Sequence, residues 1–465
     1  MSEISFVTPK CRYPGGDDKI FGANARANQK SGEIGFENVI NATVGALLND
    51  DGSLSVMKSA MNHFRSLPDA EISAYAPIAG LPEFRDAAIK ACFGDYRPDA
   101  HIEAVATPGG SGAIRNTIWN YSDPGDAILT SDWYWGPYDT QSTVNGRRLE
   151  TYKLFNDSDE FNIDAFREKS AKLVETQDRL VILLNSPAHN PTGYSLTDKE
   201  WESVMGTINK LAENPDKRIV LFADIAYIDF AGDGSSRGFM KLFGSLPENV
   251  LVIVSYSMSK AFTLYGLRSG AMICVSSNKY ATEEFFNSCQ VANRGTWSNG
   301  TRGAQKLLAD VYADENLKAE IEWERAYYKT LLEERAKSFQ KASKEAGLET
   351  CPYRHGFFVA IPCEKPNEVA EELENRNIYA VALQKGLRFA VCSVSKDKCA
   401  KAPKIIKDAI ITVESRKWKV ERKRLKNRCQ ISDVRYQEKI KNNLQRAVST
   451  VERKSCCRGS RLCKK

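Results

Sequence analysis

The middle of the chain carries short unbroken apolar runs at 180–184, 219–223, 250–255 and 270–275. Runs of that length, without polar alternation, suit strands buried on both faces of a parallel sheet. Polar, helix-forming stretches lie between some of them, such as 197–212. The alternation predicts a doubly wound α/β sheet. Farther on, 316–347 is rich in Glu, Lys, Ala and Leu and closes on a glycine, which predicts a long helix followed by a second one. Three β-like segments follow at 356–361, 378–383 and 387–392. The pattern has then changed to α+β. The expected organisation is a large domain over 51–309, a smaller domain over 310–415 joined by the segment 1–50, and an appended extension over 416–465.

Composition narrows the class. Among 465 residues, 42% are hydrophobic and 10% aromatic, enough to build large cores. No apolar run reaches membrane-helix length, and Met1 to Asp17 holds no signal-like apolar stretch, so a cytoplasmic protein is expected. The 12 cysteines follow no framework spacing and include no Cys-x-x-Cys, which fits free thiols in a reducing compartment. The formal net charge of +6 hides an asymmetry: from Arg416 onward 18 Lys and Arg face four Asp and Glu, leaving the body at about −8. An acidic body argues against nucleic acid as the main partner, and the basic extension is expected to be a solvated appendage.

The four histidines, His63, His101, His189 and His355, show no ligand spacing, so no metal site is expected. Neither a nucleophile elbow nor a Gly-Lys-Ser/Thr phosphate loop occurs. Chemistry concentrates at the ends of the apolar runs. The run 250–254 feeds Ser255-Tyr-Ser257-Met-Ser-Lys260, with Arg268 eight residues on. A lysine at a buried strand end loses proton affinity and becomes a nucleophilic amine, and nearby hydroxyls with a guanidinium suit a phosphate ester. Pro108-Gly109-Gly110-Ser111-Gly112 joins a strand-like stretch to a helix-like one, where glycines let backbone N–H groups close on an anion. Asn185-Ser-Pro-Ala-His-Asn190-Pro-Thr-Gly193 is a turn after a buried strand, and such turns line the ligand crevice of an open α/β sheet. Phe222-Ala-Asp224-Ile-Ala-Tyr227 leaves a carboxylate at another strand end, where it needs a cationic partner.

Together, Asn190-Pro-Thr-Gly193, Asp224-x-Ala-Tyr227 and Ser257-x-Ser-Lys260 with Arg268 resemble the class I/II aminotransferases, over about residues 35–415. The resemblance implies a fold type I architecture: a large domain with a mostly parallel seven-stranded sheet between helices, and a smaller α+β domain. It implies pyridoxal 5'-phosphate (PLP) as cofactor, with Lys260 its covalent attachment point and proton shuttle. Asp224 would hold the ring nitrogen protonated. Asn190 and Tyr227 would contact the ring oxygen. Gly109, Gly110, Ser111, Ser257 and Arg268 would hold the phosphate, and Tyr134 would stack on the ring, with Trp133 or Trp135 as alternatives. Tyr75, in Tyr75-x-x-x-x-Gly80, resembles the tyrosine that reaches a neighbouring subunit's phosphate, which implies a homodimer with shared active sites. Arg388 resembles the arginine that takes the substrate α-carboxylate. Val44-Gly45-Ala and Arg294-Gly-Thr-Trp-Ser-Asn299 resemble substrate segments of the aspartate aminotransferase subgroup, so Gly45, Asn190 and Arg294 join the expected substrate set. The implied reaction moves an amino group between aspartate or glutamate, with aromatic amino acids as a further option, and a 2-oxo acid such as 2-oxoglutarate. Gly300-Thr-Arg302 departs from the usual prolines there, which bears on substrate choice. A lyase or decarboxylase on the same scaffold would use the same cofactor residues.

Overall fold

The computed structural model describes residues 5–12 and 18–416. The extension expected over 416–465 lies, from residue 417 on, outside them. By contact the chain separates into residues 1–407 and residues 408–465. The functional residues all belong to the first unit.

Its described residues contain eleven strands: β1 (Ile40–Ala42), β2 (His101–Thr107), β3 (Ala127–Ser131), β4 (Arg148–Tyr152), β5 (Arg179–Asn185), β6 (Arg218–Asp224), β7 (Val250–Ser257), β8 (Gly270–Ser276), β9 (Phe358–Pro362), β10 (Ile378–Ala382) and β11 (Gly386–Ala390). Seven form one sheet in the order β2-β8-β7-β6-β5-β3-β4. All its pairs are parallel except those of β8, which runs antiparallel to both neighbours. Every residue of β3 and β8 is buried, as two-sided coverage by helices requires. The core between sheet and helices gathers Val105, Ile114, Ile128, Val181, Phe222 and Ile253. The α/β sheet anticipated from the apolar runs is therefore present, with the seven, mostly parallel strands that the family resemblance implied.

Helices begin where local chemistry allows. Thr197 caps helix Asp198–Leu211 through a capping box with Glu200, which satisfies two otherwise orphaned backbone N–H groups. The stretch expected to be two helices is one, Glu315–Ala346, 32 residues long and closed by Gly347 in the left-handed conformation. No Gly or Pro interrupts it. Its Arg335 is fully buried and donates to the carbonyls of Leu48 and Cys392 (both 2.8 Å), anchoring the helix on both neighbouring segments. The remaining strands form a sheet in the order β1-β10-β11-β9. β1 pairs in parallel with β10, so the N-terminal segment enters the same sheet as the C-terminal strands.

Candidate active site

The strand register assembles the site. Asn185, Asp224 and Ser255 are cross-strand neighbours at the carboxyl ends of β5, β6 and β7. Thr107, Gly270 and Ser257 align in the same way across β2, β8 and β7. One sheet edge thus gathers the turn before helix Gly109–Tyr121, the Asp224 carboxylate and the short helix Met258–Ala261 that carries Lys260.

Lys260 Nζ donates to the Gly45 carbonyl (2.5 Å) and lies 4.4 Å from the Tyr265 ring centre and 5.7 Å from that of Tyr227. Burial, with Arg388 and Arg268 nearby, lowers its pKa from the ordinary lysine value to about 8, although Cys392 opposes the shift. The amine is therefore available as a nucleophile and base near neutrality. Gly45 is required by space: a Cβ there would sit 2.6 Å from Phe358 Cζ.

The phosphate-type residues converge beside it. Arg268, itself at φ 52°, donates to Ser259 Oγ (3.1 Å) and to the Tyr265 carbonyl (3.0 Å). A Cβ on Gly109 would lie 3.1 Å from Arg268 Nη2, and one on Gly270 would lie 3.0 Å from Gly109 Cα. Ser257 Oγ accepts from Ser259 N (3.3 Å), and Ser111 follows in the first turn of the Gly109–Tyr121 helix. That helix has no side-chain cap, so its first N–H groups are not taken by one. Ser255 Oγ, buried next to Gly110, has no partner.

Asp224 is buried. Its Oδ2 accepts from Tyr138 Oη (2.7 Å) and its Oδ1 from Ala226 N (3.1 Å). Burial raises its proton affinity, while these two donors favour the ionised form. Among the described residues no Lys or Arg pairs with it. Asn190 links the remaining groups: its N–H donates to Asn185 Oδ1 (2.7 Å), its Nδ2 to Tyr227 Oη (3.5 Å), and its Oδ1 accepts from Arg388 Nη1 (3.4 Å). Arg388 is 3% exposed, donates to the Thr43 carbonyl (2.7 Å) and packs over Phe358 at 4.4 Å. Its Nε is buried without a partner. Burial lowers its pKa, so a carboxylate beside it would relieve a desolvated cation. Arg388 and Asn190 open into a cleft of about 710 Å³ whose other walls include Tyr134, Trp135, Asp132 and Lys385.

Tyr75 and Arg294 stand apart. Tyr75 is 86% exposed, and Arg294, also exposed, donates to Ser298 Oγ (2.7 Å). Neither hydrogen-bonds to the residues around Lys260. Sequence reasoning missed Tyr138, Tyr265, Thr43, Ser255 and Ser259. The hydroxyl-rich run before Lys260 carried a signal for Ser255 and Ser259. Tyr138 and Thr43 carry none, because only chain crossing brings them to Asp224 and Arg388.

The unpaired buried carboxylate, the orphaned Ser255 Oγ, the Lys260 amine and the glycine cradle under Arg268 fit a group that combines a cationic ring nitrogen, an aldehyde and a phosphate. That combination defines a fold type I PLP-dependent transferase. The sequence model of the family described as "Aminotransferase class I and II" matches residues 37–406, and the chain belongs to that family. A crystal structure of an aminotransferase from Anaerococcus prevotii shares 39% identity and superposes with a TM-score of 0.86, covering 88% of this chain and all of that one. The aromatic-amino-acid aminotransferase of Escherichia coli is 26% identical over 69% of this chain and 81% of its own length. The mitochondrial aspartate aminotransferase of Schizosaccharomyces pombe is 27% identical over 70% and 72%. The protein is a PLP-dependent transaminase, and the lyase alternative is not favoured.

Proposed function

We propose that the enzyme exchanges the amino group of a dicarboxylic L-amino acid, aspartate or glutamate, with a 2-oxo acid such as 2-oxoglutarate, in a homodimer with shared active sites. The observation that carries this reading is the network around Asn190, which bonds the half-satisfied Arg388 and Tyr227, with the Lys260 amine 5.7 Å from the Tyr227 ring and Asn185 joining Asn190 to the strand end of the Asp224 carboxylate. When bound, PLP supplies the electron sink that makes the substrate Cα–H bond acidic. Lys260 Nζ takes that proton and returns it, and its lowered pKa suits a base working near neutral pH. Asp224 holds a proton at the ring nitrogen. Asn190 and Tyr227 orient the ring oxygen, and Gly109, Gly110, Ser111, Ser257 and Arg268 hold the phosphate. Arg388 takes the substrate α-carboxylate in a two-pronged pair, using the Nε that the protein leaves free.

Arg294 and Tyr75 serve the partner's site. Their exposure in one chain supports this, because a specificity cation and a phosphate ligand supplied in trans must face outward. Names of relatives support both substrate classes, and Arg294 favours the dicarboxylic one. Tyr134 stacks on the ring, on the strength of its place in the cleft wall. The large cofactor-binding part spans 51–309, with 1–50 joining the smaller part at 310–415. The eight described cysteines are free thiols, and no described helix is long and apolar enough to cross a membrane, which supports a cytoplasmic setting.

The test is single-turnover absorbance spectroscopy of the cofactor-loaded protein. It is mixed in turn with L-aspartate, L-glutamate, L-tyrosine and L-alanine, without acceptor. Conversion of the bound cofactor to its amine form by aspartate and glutamate is expected. Conversion by tyrosine or alanine alone removes Arg294 from substrate recognition.

A further inference from the structure

We propose that Tyr138 is a positioning residue for Asp224: its hydroxyl orients the carboxylate and keeps it ionised, and so sets how much positive charge the bound ring nitrogen carries. The proposal rests on the reading that Asp224 faces that nitrogen. Tyr138 lies at the start of helix Pro137–Val144 and is 1% exposed. Its ring meets Trp135 edge-on (5.8 Å, 86°), which packs the ring in place. Oη sits 2.7 Å from Asp224 Oδ2, and the Ala226 N–H sits 3.1 Å from Oδ1. Each carboxylate oxygen therefore has one donor from the protein, which locks the plane of the group. The remaining lone pairs are left for one further donor.

The chemical nature of this donor matters. Tyr138 is buried against a carboxylate, and both burial and the Asp224 charge raise its pKa well above the tyrosine value. It remains a neutral O–H donor throughout the working pH range. Tyr227 also feels the Asp224 charge, and it too is held protonated by burial. These two hydroxyls therefore present the same polarity to Asp224 across that range, which an imidazole in the place of Tyr138 would not provide.

A neutral O–H donated to a carboxylate favours its ionised form. Without it, Asp224 becomes more basic and draws the shared proton away from the ring nitrogen. A less positive ring would favour protons held nearby, which would move the bound cofactor's absorbance transition to higher pH. Two readouts follow in the cofactor-loaded enzyme: the pH midpoint at which the bound cofactor's visible absorbance changes form, and cofactor affinity. For Tyr138→Phe the midpoint is expected to rise by roughly half a pH unit or more, and the cofactor Kd by about tenfold. Asp224→Asn should move the midpoint further, and the double variant should match Asp224→Asn alone. Site-specific 3-fluorotyrosine at 138 keeps the packing but gives a more acidic, stronger donor. It should move the midpoint the other way, which keeps the test decisive even where Tyr138→Phe folds poorly.

Unchanged midpoints in both Tyr138 variants overturn the proposal. So does a Tyr138→Phe effect that persists in full on top of Asp224→Asn, because the residue would then act through packing and not through the carboxylate. If Asp224→Asn itself leaves midpoint and affinity untouched, the assignment of Asp224 to the ring nitrogen fails, and this proposal falls with it.

Discussion

At the scale of single residues, the site is governed by the cost of burying charge. Lys260, Asp224 and Arg388 are all buried, but none is neutralised by a direct ion pair with another among the described residues. Each is held by carbonyls, amides or hydroxyls. Neutral partners do not cancel the charge, so each group keeps capacity for something that enters the cleft. Lys260 gives the sharpest consequence. With a pKa lowered to about 8, the neutral fraction of its amine grows as pH rises through 8, about two units earlier than for an exposed lysine. The rate at which cofactor-free protein captures added PLP should therefore rise with pH and level off above about 8. Stopped-flow absorbance measures it, and a rate still climbing steeply at pH 9 to 10 would show that burial does not tune this amine. His189 behaves differently: burial drives its pKa to about 3, and it serves as a neutral bridge to Thr192 (2.8 Å).

At the scale of elements, backbone geometry does the work that side chains cannot. Helix Gly109–Tyr121 begins at Gly109 with φ 65°, a conformation costly for other residues, and a Cβ there would press on Arg268. Gly109→Ala is expected to cost about 1 kcal/mol of stability but to raise the cofactor Kd tenfold or more, because Arg268 must shift. Urea unfolding and cofactor titration separate the two effects. A stability loss with unchanged affinity would remove Gly109 from the phosphate cradle. Much of the element pattern was legible in sequence. Four apolar runs became β5 to β8 with ends moved by one or two residues, since continuous burial leaves few other options. The long helix was misjudged as two, although no stop signal precedes Gly347, because a 32-residue helix is longer than local pattern leads one to expect. What local pattern lacked was Arg335, whose bonds to Leu48 and Cys392 hold that helix in place.

At the scale of the whole molecule, the proposed shared-site homodimer makes a demand that no single chain satisfies. Lys260→Ala subunits should be inactive, and Arg294→Ala subunits should be poor on aspartate. In a mixed dimer, one site combines the intact Lys260 of one subunit with the intact Arg294 of the other. Denaturing the two variants together and refolding them at equal amounts should restore roughly a quarter of wild-type aspartate turnover, since about half the dimers are hybrids with one working site. Steady-state assay before and after mixing checks this. Activity equal to the average of the separate variants would mean that each subunit builds its own site. Light scattering on the unmixed protein should give twice the chain mass.

The sequence by itself determined the buried strands, the turn chemistry at their ends and the residue types that PLP chemistry needs. These depend on local patterns: an apolar run, a glycine where φ must be positive, a lysine or aspartate at a strand end. It pointed to Lys260, Asp224, Asn190 and Arg268 because each stands at such a punctuation mark. Only the tertiary structure decided which neutral groups hold those charges. Tyr138 reaches Asp224 across 86 positions, Gly45 reaches Lys260 across 215, and Thr43 reaches Arg388 across 345. Contacts over such separations follow from sheet order and register, which arise from packing the whole core and leave no periodic trace near either partner.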